Sequence, residues 1–175
     1  MAHSSAYRAA MSYPPPVYLG DGGEVTARFR SVDTAPDLPR PGGGAAAYLA
    51  TGAATNGRFG LYRWDMGTEP GGAQPHFHRT MSESFFVLSG APELYDGTTW
   101  TAGAPGDFLY VPEGGVHGFR NQSGEPASLL ILFAPGAPRE AYFEGLVEMA
   151  EGRWKPTHDE LQAFLEEHDN IYLQG

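Results

Sequence analysis

Glycine and proline recur along the whole chain, so that only short segments are available for regular structure. The 175 residues include 24 glycines and 15 prolines. Neither residue suits the interior of a helix or of a central strand, so the stretches between them favour short elements. Hydrophobic residues still make up 41% of the chain and aromatic residues 13%, which is typical of a folded core and not of a disordered chain.

The middle of the chain alternates between polar and apolar residues over short segments bounded by turn signals. Such alternation is typical of half-buried strands, and many short strands at close spacing favour a sandwich or barrel. An earlier alternating segment, Glu24–Val32, predicts a first strand. The pair Asp96-Gly97 predicts a hairpin, because it tolerates the positive φ angles of a type I′ turn. The other predicted strands are Ala46–Thr51, Arg58–Met66, Gln74–His78, Glu83–Ser89, Pro92–Tyr95, Thr98–Thr101, Asp107–Val111, Val116–Asn121 and Ala127–Phe133.

After residue 135 the apolar residues recur at helical spacing. Glu140–Glu151 predicts one amphipathic helix, and a second is expected to begin at Thr157, where Thr157 and Glu160 have the spacing of a capping box. We therefore expect an N-terminal arm at residues 1–23, a β domain at 24–135 and a helical extension at 136–175 that packs on it.

The charge of the chain excludes some classes of partner. Its net charge is −10, so we expect neither nucleic-acid nor membrane-surface binding. The chain has no cysteine, which excludes disulfides and thiolate ligands. Met1–Pro16 lacks a continuous apolar region, and the longest apolar run, Leu129–Pro135, is far shorter than the roughly 20 residues of a membrane helix. A soluble, cytoplasmic protein is the expectation.

Two histidines stand two residues apart on a predicted strand. Residues i and i+2 of a strand point to the same face, so His76 and His78 project together, and Glu83 follows after a turn. Two imidazoles and a carboxylate are suitable ligands for a transition metal. Taken alone, two surface histidines on a strand are an equally good interpretation. We expect structural or surface roles for the histidines outside the middle of the chain, which are His3, His158 and His168.

Two longer motifs favour the metal site over two surface histidines. Residues 71–90 read GGAQPHFHRTMSESFFVLSG, and residues 106–121 read GDFLYVPEGGVHGFRN. They resemble the two motifs of the cupin superfamily, G-x5-H-x-H-x3–4-E-x6-G and G-x5-P-x-G-x2-H-x3-N. The second motif matches at every position. The first matches from His76 to Gly90, but its leading glycine is displaced, since Pro70 stands in the expected position and Gly71 follows it.

The resemblance implies a fold and a metal site. The fold is all-β, a double-stranded β-helix (jelly-roll, cupin) barrel, here with two short C-terminal helices. The implied ligands of one divalent transition metal ion (iron, manganese, nickel, cobalt, copper or zinc) are His76, His78, Glu83 and His117. Because cupins often dimerise through edge strands, a homodimer is a further expectation.

Because alternate residues of a strand point to the same face, the positions of the ligands predict which other side chains lie on the inner face. An apolar, aromatic lining around a metal favours an organic ligand, although each of these residues could equally be core. The predicted substrate pocket consists of Tyr62, Trp64, Met66, Phe85, Val87 and Phe119.

These expectations lead to three competing functions. The first is a metal-dependent dioxygenase of a small aromatic or enol-type substrate, because the ligand set and trailing helices are similar to those of quercetinase-like cupins. Glu83 would then be a ligand, a general base or both in turn. The second is a non-redox isomerase, cyclase or decarboxylase with the same ligands. The third is a binding or structural cupin in which the metal only stabilises the barrel.

Overall fold

The computed structural model describes residues 13–173, which fall into two compact units that divide after residue 31. Residues 13–31 contain no helix or strand. The strand expected at Glu24–Val32 is therefore wrong. The side chains that were to form its apolar face, Val25 and Phe29, are exposed. An alternating segment is stable as a strand only when its apolar face is buried against other residues. Val25 and Phe29 are not buried, so this condition is not met.

The second unit contains eleven strands and two α-helices among its described residues. A 3₁₀ turn, Pro41–Gly43, joins the first two strands. In chain order the elements are β1 (Leu38–Arg40), β2 (Gly44–Ala50), β3 (Gly60–Met66), β4 (Gly71–Phe77), β5 (Ser82–Ser89), β6 (Glu93–Tyr95), β7 (Trp100–Ala102), β8 (Phe108–Val111), β9 (His117–Asn121), β10 (Ala127–Ala134), α1 (Glu140–Ala150), α2 (His158–Glu167) and β11 (Ile171–Tyr172).

The strands form two antiparallel sheets. One sheet has the order β1-β2-β3-β10-β5-β8 and the other the order β11-β4-β9-β6-β7. Several neighbours in the sheets, such as β3 and β10 or β4 and β9, are distant in sequence, as in a jelly roll, where consecutive strands pass between the two sheets. The predicted fold class, an all-β double-stranded β-helix with two C-terminal helices, is confirmed, although the strand pairings do not close the sheets into one barrel.

The core lies on the inner faces of the sheets, as parity requires. In β3 every second residue is buried, including Tyr62, Trp64 and Met66, and in β5 the same holds for Phe85 and Val87. These faces carry large apolar side chains, and the burial of those side chains excludes water from the space between the sheets.

The two helices follow the strands and pack on the aromatic end of the core. Phe143 of α1 lies with its ring centroid 5.2 Å from that of Tyr62 and 5.0 Å from that of Trp64. Helix α2 begins with the predicted capping box, in which the Thr157 side chain accepts from the backbone N–H of Glu160 and the Glu160 carboxylate accepts from that of Thr157. No helix in the described part of the chain is both long enough and apolar enough to cross a membrane.

Two short strands and one turn differ from the sequence expectations. β1 and β11 were not predicted. β1 lies among prolines and glycines that are typical of a loop, and the two residues of β11 carry no readable periodicity. The hairpin at Asp96-Gly97 is present, but only Gly97 has a positive φ, so the turn is not type I′. Instead, the Asp96 carboxylate accepts from the backbone N–H groups of Thr98 and Thr99 and closes a longer loop.

Candidate metal centre and adjoining cavity

Strand register brings the four candidate ligands together. His76 on β4 pairs directly with His117 on β9, and both strands belong to the smaller sheet. Glu83 enters from β5 of the facing sheet, and His78 follows the end of β4. The pairing of β4 with β9 shifts register between Ala73 and His76, around Pro75, which has no N–H to contribute to the ladder.

The four side chains form a buried cluster with metal-binding geometry. One ligand atom from each residue lies within 4.8 Å of the others. None of the four residues is more than 4% exposed. Nε2 of His78 is 2.9 Å from Oε2 of Glu83, and Nε2 of His117 is 2.7 Å from the same oxygen. This spacing matches the set expected from the two motifs.

All three imidazoles are held at their Nδ1 atoms. Nδ1 of His76 donates to the carbonyl of Gln74 at 2.7 Å, and Nδ1 of His117 donates to that of Gly115 at 2.9 Å. Nδ1 of His78 donates to the carbonyl of Asp169 at 2.5 Å. Because a carbonyl oxygen only accepts, each Nδ1 carries the proton, and each neutral ring keeps its Nε2 lone pair for a metal.

The electrostatics of the cluster also fit a cation. With Nδ1 protonated, a neutral His78 or His117 would direct a lone pair at the Glu83 carboxylate, so a metal ion or an added proton must separate them. Burial would raise the pKa of Glu83, but the contacts with His117 and His78 outweigh it and hold that pKa below its usual range. Burial would lower the pKa of His117, yet the contact with Glu83 raises it.

His76 differs from the other two imidazoles. Burial lowers the pKa of His76 to about 3, and neighbouring His117 lowers it as well. The ring therefore stays neutral at all ordinary pH values and is a ready ligand. Three neutral imidazoles and one carboxylate are suited to a divalent transition metal, and the donor set alone does not select one.

A cavity of about 100 Å³ adjoins the ligand cluster, and His76 and Glu83 form part of its wall. The larger part of the wall is apolar and comes from both sheets and from α1. Its main apolar side chains are Trp64, Phe119, Ile131, Phe133, Phe143 and Leu146. A ligand in this space would therefore contact both an aromatic surface and the metal-binding residues.

The six residues predicted to line a substrate pocket are all buried. Trp64 and Phe119 line the cavity. The other four pack in the surrounding core, and Tyr62 also donates to Oε1 of Glu140 at 2.6 Å. Strand parity separates inner from outer faces, but it does not show which inner residues lie beside the cavity.

Several cavity residues come from outside the predicted strands. Arg40 lies at the end of β1, Arg139 immediately precedes α1, and Asn170 and Tyr172 belong to the C-terminal segment. Tyr172 pairs with His76 across β11 and β4. Their contribution depends on how distant segments meet, and no local sequence pattern indicates it.

Asp169 is a further residue that the sequence did not single out. Its backbone carbonyl holds His78, while its carboxylate accepts from the backbone N–H groups of Arg79 and Thr80 and from the Thr80 hydroxyl, at 2.7–3.0 Å. Asp169 has a φ of 51°, a conformation that aspartate tolerates better than most residues. It therefore fixes both a ligand and the loop behind it.

Two motif residues have structural roles. Gly114 has a φ of 79°, and its N–H donates to the carbonyl of His78 at 2.7 Å. Asn121 is buried, and its Nδ2 donates to the carbonyls of Gly67 and Glu125. These contacts tie the loops around the ligand strands together.

The remaining histidines lie away from the cluster or outside the described residues. His158 is exposed at the start of α2. His168 follows the same helix, with its ring 4.7 Å from that of Phe164 between centroids. His3 lies outside the described residues.

Comparison with known proteins agrees with this geometry. The family model described as "Cupin domain" matches residues 64–133, which include all four candidate ligands. A protein of Aquifex aeolicus, described as uncharacterised, is 39% identical over 61 residues. That match covers 35% of this chain and 50% of the relative, so this chain spans half the length of the curated relative that it matches.

Solved structures share the fold. An RmlC-like cupin from Shewanella frigidimarina is 20% identical, with a TM-score of 0.54 over 67% of this chain and 96% of that one. The polyketide cyclase RemF from Streptomyces resistomycificus is 25% identical, with a TM-score of 0.50 over 62% of this chain and 78% of that one. The family match and the two motifs show that residues 64–133 are a cupin domain, and the solved structures share its fold.

Proposed function

We propose that this chain is a metal-dependent enzyme, a dioxygenase that acts on a small aromatic or enol-type organic molecule. The observation that supports it most directly is that His76 and Glu83 belong both to the candidate ligand set and to the cavity wall. A metal that only stabilised the fold would need no such access, since structural sites are typically closed.

The residues of the site have distinct tasks in this proposal. His76, His78, His117 and Glu83 would hold one divalent transition metal ion, which supplies Lewis-acid and redox chemistry when bound. Because the contacts of Glu83 keep its pKa below the usual range, its carboxylate is ionised at neutral pH. Such a group suits a metal ligand better than a general base, whose pKa should lie near the working pH.

The cavity wall selects the type and size of the substrate. Trp64, Phe119 and Phe133 present ring surfaces that would hold a flat organic molecule and exclude water. A volume of about 100 Å³ admits on the order of seven to ten non-hydrogen atoms, since each water-sized group needs roughly 10–15 Å³. This favours a substrate smaller than the flavonols of quercetinase-like cupins, unless α1 moves outward.

A second candidate is a non-redox isomerase or cyclase with the same ligands. It is favoured by the similarity to a polyketide cyclase at 25% identity and a TM-score of 0.50. The two candidates differ in one measurable quantity, because a dioxygenase consumes molecular oxygen with its substrate whereas an isomerase or cyclase does not.

Metal analysis followed by oxygen-uptake assays tests the proposal. The purified protein would be loaded separately with iron, manganese, nickel, cobalt, copper or zinc and offered catechol and acetylacetone, an aromatic diol and a small enolising diketone. We expect oxygen uptake with a redox-active metal, its loss in His76→Ala, and its retention in His158→Ala, where the replaced histidine is exposed.

The other outcomes are equally informative. Conversion of substrate without oxygen uptake would favour the isomerase or cyclase. No turnover with any metal, together with a large fall in melting temperature on chelation, would contradict both and favour a structural metal. Full metal occupancy in His76→Ala would contradict the ligand set itself.

A further inference from the structure

The unpartnered polar atoms of the cavity-lining side chains are all of one kind. Three side-chain atoms of cavity-lining residues are buried without a hydrogen-bond partner among the described residues: Nε1 of Trp64, Nε of Arg139 and Nδ2 of Asn170. All three are N–H donors, and none can accept. Buried polar groups almost always have a partner, so this wall matches a ligand that supplies acceptors.

Arg139 adds a buried positive charge to these donors. The residue is 3% exposed, and its guanidinium donates to two neutral acceptors, the carbonyl of His168 at 2.6 Å and Oδ1 of Asn170 at 2.8 Å. Within the described part of the chain it forms no ion pair with a carboxylate. A buried charge usually has a counter-charge.

A second guanidinium lines the same cavity. Arg40 stacks on Trp64, with its Cζ 3.9 Å from the ring centroid. Glu83 is the acidic residue in the cavity wall, and its carboxylate already faces two histidines. In a chain with a net charge of −10, two arginines beside one cavity form a local positive region.

We infer that the cavity binds a small aromatic carboxylate, whose anionic group is held by Arg139 together with the N–H groups of Asn170 and Trp64. The aromatic wall would contact the ring of such a molecule. This inference names a substrate class and therefore rests on the proposed function, in which the cavity is the substrate site. It makes Arg139 a specificity-determining residue rather than a metal ligand.

Binding of benzoate, compared with that of neutral benzamide, tests the inference. The two probes have the same shape and differ mainly in charge. We expect benzoate to bind about tenfold or more tightly than benzamide by calorimetry, because hydrogen bonds to a charged group are stronger than neutral ones. Arg139→Met should abolish that preference. Arg153→Met, which removes an exposed arginine paired with Glu148, should preserve it.

The measurement is made on metal-loaded and on metal-stripped protein, because a bound metal could itself attract benzoate. A preference that survives stripping and depends on Arg139 supports the inference. Equal binding of the two probes, binding of neither, or a preference that disappears with the metal and is unchanged in Arg139→Met would overturn it.

A separate variant keeps the test decisive if Arg139→Met fails to fold. Trp64→Phe removes one unpartnered N–H and retains an aromatic ring, so we expect the benzoate preference to fall about threefold to tenfold, the value of one hydrogen bond. An unchanged preference would count against the assignment. These results are independent of oxygen uptake, so failure of the dioxygenase proposal and failure of the anion site are distinguishable.

Discussion

At the scale of the residue, the three imidazoles differ in the sequence position of the carbonyl group that accepts a hydrogen bond from Nδ1. The carbonyls that hold His76 and His117 belong to residues two positions earlier in the chain, whereas the carbonyl that holds His78 comes from Asp169. Two ligands are therefore oriented by their own strands, and the third depends on a segment about ninety residues later.

The support of His78 gives a first prediction. Asp169→Ala should lower metal affinity about tenfold, the lower end of the roughly 10–100-fold effect of losing an outer partner of a ligand. The carboxylate that fixes the loop at Arg79 and Thr80 is then lost, so the carbonyl shifts. Competition with a chromogenic chelator measures the affinity. Asp169→Asn, which keeps an acceptor, should bind metal more tightly than Asp169→Ala, and equal affinities would refute the role.

The protonation of His117 gives a second prediction, for the pH dependence of metal binding. Contact with Glu83 raises the pKa of His117, so below that raised pKa a metal must displace one proton. His76, with a pKa of about 3, adds no competition near neutral pH. Metal affinity should therefore fall about tenfold per pH unit below the raised pKa of His117. Titrations across a pH series test this, and a flat profile would contradict it.

The raised pKa of His117 has the opposite effect on the stability of the metal-free protein. A raised pKa in the folded state means that protonation of His117 stabilises that state. The contribution is fully present below the ordinary histidine pKa, and it is lost as the pH rises through the raised pKa of His117. Metal binding and the stability of the metal-free protein should thus respond to pH in opposite directions over that window.

At the scale of the element, the C-terminal segment completes the site. Helix α1 supplies Phe143 and Leu146 to the cavity wall, and β11 pairs with β4, the strand that carries His76. The two helices meet at Gly145, where an added Cβ would lie 2.5 Å from Cζ of Phe164. Close contact of the helices therefore depends on the missing side chain.

That contact gives a third prediction. Alanine is the better helix former by about 1 kcal/mol. Gly145→Ala should nevertheless lower the free energy of unfolding, by a net loss of up to about 2 kcal/mol, because overpacking costs about 1–3 kcal/mol. The Phe164 ring cannot easily move away, since it packs against Tyr142, Trp154 and His168.

Urea unfolding measures the effect. Glu144→Ala on the exposed face of the same helix is the matched control and should change stability by less than about 0.5 kcal/mol. A Gly145→Ala variant that is more stable than the parent would show that helix propensity outweighs the packing of α1 on α2.

The sequence predicted the elements whose signals are local. The central strands follow from alternation between turn residues, and the capping box marked the start of α2 at Thr157. The ligand set came from motif spacing. Arg139, Asp169 and Asn170 could not be predicted, because their roles exist only when the C-terminal segment meets β4 and the loop after it. The cavity wall was predicted only in part, because the alternation of side chains along the strands does not show where α1 packs.

At the scale of the whole molecule, an apolar surface lies at one edge of the larger sheet. β8 is the edge strand and pairs with β5. Phe108 and Tyr110 of β8 are 62% and 57% exposed, and Phe86 and Leu88 of β5 are 39% and 40% exposed. Exposed edge strands with contiguous apolar side chains are suited to pairing with another chain.

This surface supports the expectation of a homodimer, which we propose forms through β8. Sedimentation equilibrium should then give a dimer at micromolar concentration, and Phe108→Lys should shift it to monomer. Leu49→Lys, an exposed apolar position on β2 of the same sheet, should leave the dimer intact. A monomeric parent protein would refute the proposal.

The hydrogen bond from His78 to Asp169 also has a consequence for biosynthesis. The ribosome makes the chain from its N-terminus, so both cupin motifs, which end at residue 121, are synthesised before residue 169 is added. Until then, His76, Glu83 and His117 are available but His78 has no carbonyl to orient it. A nascent chain should therefore capture metal weakly and retain it only after its C-terminal segment has folded into place.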